Sequence, residues 1–256
     1  MKILKFKKQS TDKYKLYLDN NSDITLYEDV IIKNNLLITK EISDELLEAL
    51  KKQNNDMYAY TLALGYISVK MRSIKEINDY LIKKGFNNLV ANKVLERLIK
   101  EGYLNDLKYA KSFINDSMNL TNKGPQKIKM ELIKYGVNKD IIESEIALID
   151  QKKVEEKLNR LIDKELKIKK GSQNAIKIKI INHFVNLGYS KDLVTSILTS
   201  KEITSDKSKL KKDYAKFYNK YKVKYNGQEL LYFISQKLYS KGYTASDIKE
   251  VLKEEN

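Results

Sequence analysis

The apolar positions of this chain recur with a period of about fifty residues, and each recurrence is centred on a glycine. Apolar side chains stand eight and four residues before the glycine, directly after it and ten after it. A fixed period of this length is typical of repeat proteins, in which each unit is one supersecondary element. The four glycines are Gly85, Gly136, Gly188 and Gly242. Around them the four apolar positions hold Ile77, Leu81, Phe86 and Leu95; Ile128, Leu132, Val137 and Ile146; Ile180, Phe184, Tyr189 and Leu198; and Ile234, Leu238, Tyr243 and Leu252.

Each glycine is predicted to end one helix and to begin a three-residue turn into the next. Positions eight and four before it share a helix face with it, and glycine readily adopts the left-handed conformation that stops a helix. Two residues later comes a residue type whose side chain caps a helix N-terminus. These cap residues are Asn87, Asn138, Ser190 and Thr244. Each unit therefore contains a helix-turn-helix corner, and we interpret its patterned residues as core and caps.

The start of the helix before the turn is also predicted. Ser73 and Glu76 have the spacing of a capping box, and Ser73 lies twelve residues before Gly85. Gly124 lies at the same distance before Gly136 and is followed by Pro125, the only proline of the chain. Proline is well tolerated at the first helical position, because its missing N–H would have no helical partner there. Ser73, Gly124, Pro125 and the four turn glycines are therefore predicted to be structural turn and cap residues.

A third helix is predicted before each pair. Tyr58-Ala59, Tyr109-Ala110 and Tyr214-Ala215 stand at similar distances before their glycines, and Leu158 and Ile162 continue an apolar stripe in the third unit. We therefore predict a mainly α fold, with four three-helix repeats over 57–105, 106–151, 152–204 and 205–256. Because such units bury an apolar face on their neighbours, we expect an extended, curved array.

Residues 1–56 break this pattern and predict a small β-rich module. The segments 3–6, 14–18 and 24–27 favour strands, and polar turn residues separate them. A helix is predicted over 43–52, capped by Ser43, and the polar segment 53–56 is interpreted as the connection to the repeats. Since a small sheet is marginal alone, we expect it to pack on the first repeat.

Charge is distributed unevenly along the chain, whose formal net charge is +15. Residues 1–56 have ten basic and ten acidic side chains, whereas the four predicted repeats have net charges of +4, 0, +6 and +5. The excess therefore lies in the helical part and favours a polyanionic partner. Only Arg72, Arg97 and Arg160 are arginines, so lysine contacts to phosphate without sequence preference are expected.

The cations predicted to contact a polyanion lie in all four repeats. They are Arg72, Lys83, Lys84, Lys93, Arg97, Lys100, Lys123, Lys127, Lys129, Lys134, Lys169, Lys170, Lys177, Lys179, Lys211 and Lys212.

Residues for catalysis are sparse. The chain has no cysteine and one histidine, His183, and no glycine-rich turn suits a nucleotide phosphate. We therefore expect no enzymatic activity, no metal and no cofactor. The first residues are interrupted by lysines and lack the apolar run of a signal peptide, and no apolar stretch is long enough to cross a bilayer. We expect a cytoplasmic protein without a membrane partner.

Three segments resemble the RecX regulatory proteins. Residues 72–86 are similar to that family's first-repeat motif, residues 104–113 to the link into its second repeat, and residues 124–137 to its most characteristic segment. The β-rich leader resembles the extension of longer members. Lys127 stands where the family often has arginine, and the fourth unit goes beyond the three repeats of short members.

The resemblance implies a function in the regulation of DNA repair, recombination and the SOS response. RecX proteins bind along the RecA recombinase filament on single-stranded DNA and inhibit its ATPase, strand-exchange and coprotease activities. The expected partners are the RecA filament and single-stranded DNA, with double-stranded DNA as a further partner, and the chain is expected to be a monomer. Two alternatives remain: non-sequence-specific DNA binding without RecA, and a scaffold for acidic proteins.

Overall fold

The structure is a computed structural model and describes residues 1–254. Three strands come first: β1 (Ile3–Lys8), β2 (Lys13–Leu18) and β3 (Asp23–Tyr27). The helices that lead into and form the first repeat are α1 (Glu28–Lys33), α2 (Leu36–Thr39), α3 (Asp44–Val69), α4 (Ile74–Lys83) and α5 (Asn88–Lys100). The second repeat has α6 (Asp106–Leu120), α7 (Pro125–Lys134) and α8 (Lys139–Ala147). The last two have α9 (Gln151–Ile168), α10 (Gln173–Asn186), α11 (Lys191–Thr199), α12 (Lys207–Tyr221), α13 (Gly227–Ser240) and α14 (Ala245–Glu254).

The N-terminal strands form one antiparallel sheet in the order β1-β2-β3. Alternation along β2 places Leu16 and Leu18 in the core, where they are 0% and 2% exposed. They pack with Leu26, with Val30 of α1 and with Leu50 of α3. The prediction of a small β-rich module is confirmed.

The predicted connection over 53–56 is wrong, because α3 runs without interruption from Asp44 to Val69. Within this helix, Asn54 forms hydrogen bonds with the main chain of β3, at the edge of the sheet. The side-chain oxygen of Asn54 accepts a 2.9 Å hydrogen bond from the N–H of Tyr27, and its amide donates to the carbonyl of Thr25 at 3.0 Å. Asn34 donates to the side chain of Gln53 at 2.8 Å. The module and the first repeat therefore share one helix.

The apolar positions eight and four residues before each turn glycine form the cores of the repeats. All eight side chains are at most 1% exposed: Ile77, Leu81, Ile128, Leu132, Ile180, Phe184, Ile234 and Leu238. Separate clusters of buried apolar residues form the cores of the first, third and fourth repeats. This burial confirms the prediction of a mainly α chain of three-helix repeats.

The turns have the left-handed glycine conformation that the sequence pattern predicts. The four turn glycines have φ between +77° and +92°. After Gly85, the N–H of Phe86 donates to the carbonyl of Leu81 at 3.2 Å, and the same bond joins Tyr189 to Phe184 at 3.1 Å. These bonds pair carbonyls that a helix end leaves without partners.

Successive repeats meet where the central helix of one repeat begins at the glycine turn of the next. The hydroxyl of Ser172, before α10, donates to the carbonyl of Lys241 at 2.6 Å. Before α7, the N–H of Gly124 donates to the carbonyl of Leu187 at 2.7 Å. A Cβ on Gly124 would lie 2.6 Å from the carbonyl carbon of Gly188, so only glycine fits there. We call these contacts the repeat joints.

The chain divides into two compact units. One comprises Met1–Lys111 and Ile133–Ile141, and the other comprises Ser112–Leu132 and Ile142–Asn256. The predicted limits of the single repeats are finer than this division and stay predictions.

Candidate functional site

The predicted cations fall into two groups, according to whether a carboxylate lies within ion-pair distance. This distinction matters because a lysine that is already paired offers less uncompensated charge to a polyanion. Five lysines are paired: Lys93 with Asp56 (3.2 Å), Lys123 with Glu131 (2.5 Å), Lys129 with Glu143 (2.5 Å), Lys169 with Glu165 (2.9 Å) and Lys211 with Glu254 (2.8 Å).

Arg72 is held inside the first repeat. Its side chain is only 11% exposed and forms a 3.1 Å ion pair with Glu76. Its guanidinium carbon lies 3.8 Å from the centre of the Tyr66 ring, and Tyr66 stacks on Tyr80 with ring centres 4.2 Å apart and planes 12° apart. Arg72 therefore links α3 to α4 through a stack of three planar groups.

Arg97 of α5 also stacks on a tyrosine ring and pairs with a glutamate. Its guanidinium carbon lies 3.7 Å from the centre of the Tyr60 ring, and its Nε donates to Glu101 at 2.8 Å. The Tyr60 hydroxyl also donates to Glu101, at 2.5 Å. Burial, and then this hydrogen bond to Glu101, raise the pKa of Tyr60 to about 12. The hydroxyl of Tyr60 thus stays protonated, and its ring supports Arg97.

The remaining predicted lysines make no ion pair with any described residue. They lie on the first repeat, on the central helix of the second repeat, on and just before the central helix of the third, and on the first helix of the fourth. They are Lys83, Lys84, Lys100, Lys127, Lys134, Lys170, Lys177, Lys179 and Lys212. We call this set the unpaired lysines. Ammonium groups of this kind contact phosphate oxygens as point charges without reading base sequence.

The repeat joints fix the backbone that presents one of these lysines. Lys127 lies in the first turn of α7, and its main-chain N would be 2.3 Å from a Cβ placed on Gly188. The N–H of the neighbouring Gln126 donates to the carbonyl of Gly188 at 3.1 Å. The position of Lys127 is therefore set by the turn of the third repeat.

The half-buried charge of Lys157 and the buried charge of Asp213 were not predicted from the sequence. Lys157 donates to the carbonyls of Lys123 (3.1 Å) and Ser117 (3.4 Å), and burial, followed by the charge of Arg160, lowers its pKa. Asp213 is 5% exposed and accepts hydrogen bonds from Lys241 at 2.7 Å and from the Tyr243 hydroxyl at 3.0 Å. Their hydrogen-bond partners are far away in sequence, so no local pattern predicts these bonds.

Within residues 1–254, no group of three or more His, Cys, Asp or Glu side chains has a geometry that would hold a metal ion. In the same residues, no helix has the length and apolar character needed to cross a membrane. His183 is exposed and lies edge-on to the ring of Phe184, with centroids 5.0 Å apart.

Known proteins are similar to this chain along nearly its whole length. Residues 59–98 match the model of the first RecX three-helix domain, and residues 105–144 match that of the second. The regulatory protein RecX of Streptococcus uberis is 35% identical over 263 aligned residues, which cover 99% of each chain.

Solved structures agree with the fold. A crystal structure of a regulatory protein RecX superposes with a TM-score of 0.68 at 22% identity, and covers 78% of this chain and 99% of its own. The crystal structure of RecX from Lactobacillus salivarius has a TM-score of 0.53 at 28% identity, with coverage of 57% and 96%. Sequence and fold together show that this chain belongs to the RecX family of regulatory proteins.

Proposed function

We propose that this chain binds, as a monomer, to the filament that RecA forms on single-stranded DNA. There it inhibits the ATPase, strand-exchange and coprotease activities of RecA without catalysing a reaction itself. The full-length similarity to the regulatory protein RecX of S. uberis carries the proposal, because that similarity extends over the β module and all four repeats.

The charge distribution supports the DNA part of this proposal. The unpaired lysines lie on helical repeats, whereas the β module has no net charge. Lysine-dominated contact with phosphate suits a regulator that must act on any sequence. Several weak contacts on successive repeats also add up to tight binding through multivalency.

The test is the ATP turnover of RecA on single-stranded DNA with substoichiometric amounts of this protein. We expect turnover to fall, and we expect the double variant Lys170→Glu/Lys179→Glu to require about tenfold more protein for the same inhibition. The matched control is Lys5→Glu/Lys7→Glu, which makes the same charge change on two exposed lysines of β1. This control should inhibit like the wild type. Unchanged turnover with the wild-type protein overturns the proposal.

A binding titration separates the two alternatives. Equal affinity for bare DNA and for DNA coated with RecA indicates a DNA-binding protein that acts without RecA. Capture of acidic proteins in the absence of DNA indicates a scaffold.

A further inference from the structure

One face of α4 combines an aromatic ring with charged side chains around an open cavity. Tyr80 and Lys83 follow Glu76 by four and seven residues, and Asp79 and Lys84 continue the same helical stripe. Together with Tyr66 of α3, these residues line a cavity of about 550 Å³.

The two carboxylates of this cavity are already compensated. Glu76 accepts from Arg72 at 3.1 Å and from the N–H of Ser73 at 3.0 Å. Asp79 accepts from Lys75 at 2.6 Å.

The two lysines at the other end of the stripe are not compensated. Lys83 and Lys84 are exposed and have no carboxylate of the described chain within ion-pair distance. The cavity therefore has two ammonium groups without a carboxylate partner at one end, and these groups can contact an anionic ligand.

The rings give this cavity a flat, polarised wall. The guanidinium of Arg72 lies over one face of Tyr66, so Tyr80 must cover the other face. The stack can continue only over the second face of Tyr80, and the ammonium of Lys84 lies 5.6 Å from the centre of that ring. A planar group placed there would extend an existing stack and bring its anionic part to the lysines.

We propose that this cavity holds one nucleotide of a single strand, with the base on Tyr80 and the phosphate at Lys83 and Lys84. The inference deepens the proposed function, on which it rests, by naming residues that hold the DNA. An open cavity without a glycine-rich phosphate cradle fits a unit of a continuous strand better than a free nucleotide. Stacking on an aromatic side chain tolerates every base, as a regulator without sequence preference requires.

The experiment compares two fluorescein-labelled strands of equal length and charge by anisotropy, an oligothymidine and a fully abasic strand. The wild-type protein should bind the oligothymidine about tenfold more tightly, as expected for one stacked base. Tyr80→Leu should lose this preference and keep the affinity for the abasic strand. Tyr80→Phe, which retains the ring, should keep the preference. The control is Tyr103→Leu, which removes a tyrosine that is 55% exposed outside the cavity and should behave like the wild type.

A second variant makes the result independent of any loss of stability. The chain has no tryptophan, so Tyr80→Trp introduces a single one, whose emission should be quenched by oligothymidine and not by the abasic strand. Equal quenching by thymidine monophosphate at the same nucleotide concentration would show a free-nucleotide site and overturn the strand assignment.

Failure of this inference differs from failure of the proposed function. Equal wild-type affinity for the two strands, or a preference that survives in Tyr80→Leu, overturns the stacking site and leaves inhibition of RecA untouched. Unchanged RecA turnover removes the proposed function, while a measured base preference would still support the cavity.

Discussion

The hydroxyl of Ser73 donates a 2.7 Å hydrogen bond to the carbonyl of Tyr135, the residue before the second turn glycine. The same oxygen accepts the N–H of Glu76 at 3.1 Å and so completes the capping box of α4. One fully buried side chain therefore caps its own helix and joins two repeats.

We predict that Ser73→Ala costs more stability than an ordinary cap substitution. It removes a cap worth about 1 kcal/mol and also removes the hydrogen bond to the carbonyl of Tyr135, which costs about 1 kcal/mol more. The control is Ser43→Ala, because exposed Ser43 caps α3 by accepting the N–H of Leu46, within its own helix. The free energy of unfolding in urea should fall by about 2 kcal/mol and about 1 kcal/mol, respectively. Equal losses would contradict a role of Ser73 in the joint.

The glycine turns allow a second comparison, because Gly85 and Gly188 have the same backbone conformation, with φ of +92° and +91°. A Cβ on Gly85 would meet no atom within 4 Å, whereas one on Gly188 would lie 2.3 Å from the main-chain N of Lys127.

Gly85→Ala should therefore cost only the strain of a left-handed alanine, about 1–2 kcal/mol. Gly188→Ala should cost about 1–3 kcal/mol more, because a backbone atom has to move. Urea unfolding measures both changes. If the two variants lose the same stability, the close approach at the joint does not exist in solution.

The repeats could be predicted from the sequence because the apolar pattern of each one lies within a short segment of the chain. Spacings of four and eight residues determine which side chains share a helix face, and the eight residues chosen in this way are buried. A contact between distant segments gives no such pattern. Lys93 pairs with Asp56, 37 residues away, and Gly124 fits against the turn at Gly188. Which lysines remain unpaired is therefore visible only in the structure.

Composition predicts that the polar segment 53–56 connects the β module to the repeats, whereas the structure places this segment within α3. Clustered amides are typical of loops, but the amide of Asn54 here pairs with the main chain of β3. A helix tolerates these residues once their side chains find partners across the fold.

Asn54→Ala should consequently weaken the attachment of the sheet to α3. The N–H of buried Tyr27 would lose its partner, so we expect a loss of about 2 kcal/mol. The neighbouring exposed Asn55 makes no hydrogen bond with its side chain in the described residues, and Asn55→Ala is the matched control. Hydrogen exchange of the β3 amides should accelerate in the first variant alone. Similar exchange in both variants would show that Asn54 does not hold the sheet.

The acid stability of the fourth repeat depends on Asp213. Burial raises the pKa of this carboxyl, but hydrogen bonds from Lys241 (2.7 Å) and the Tyr243 hydroxyl (3.0 Å) outweigh that effect. The pKa consequently lies below its ordinary value of 3.8. Because the folded pKa is below the unfolded one, Asp213 stabilises the fold above about pH 4, and this contribution disappears as the pH falls through the folded pKa.

Asp213→Asn should therefore lower the free energy of unfolding by about 2 kcal/mol at neutral pH, since it weakens the bonds to Lys241 and Tyr243. The difference from the wild type should shrink as the pH is lowered below about 4, where the wild-type carboxyl also becomes neutral. Asp192→Asn is the control, because Asp192 is exposed and makes no ion pair in residues 1–254. Urea unfolding across this pH range measures both variants. A constant difference between Asp213→Asn and the wild type would mean that the charge of Asp213 does not hold Lys241 and Tyr243 together.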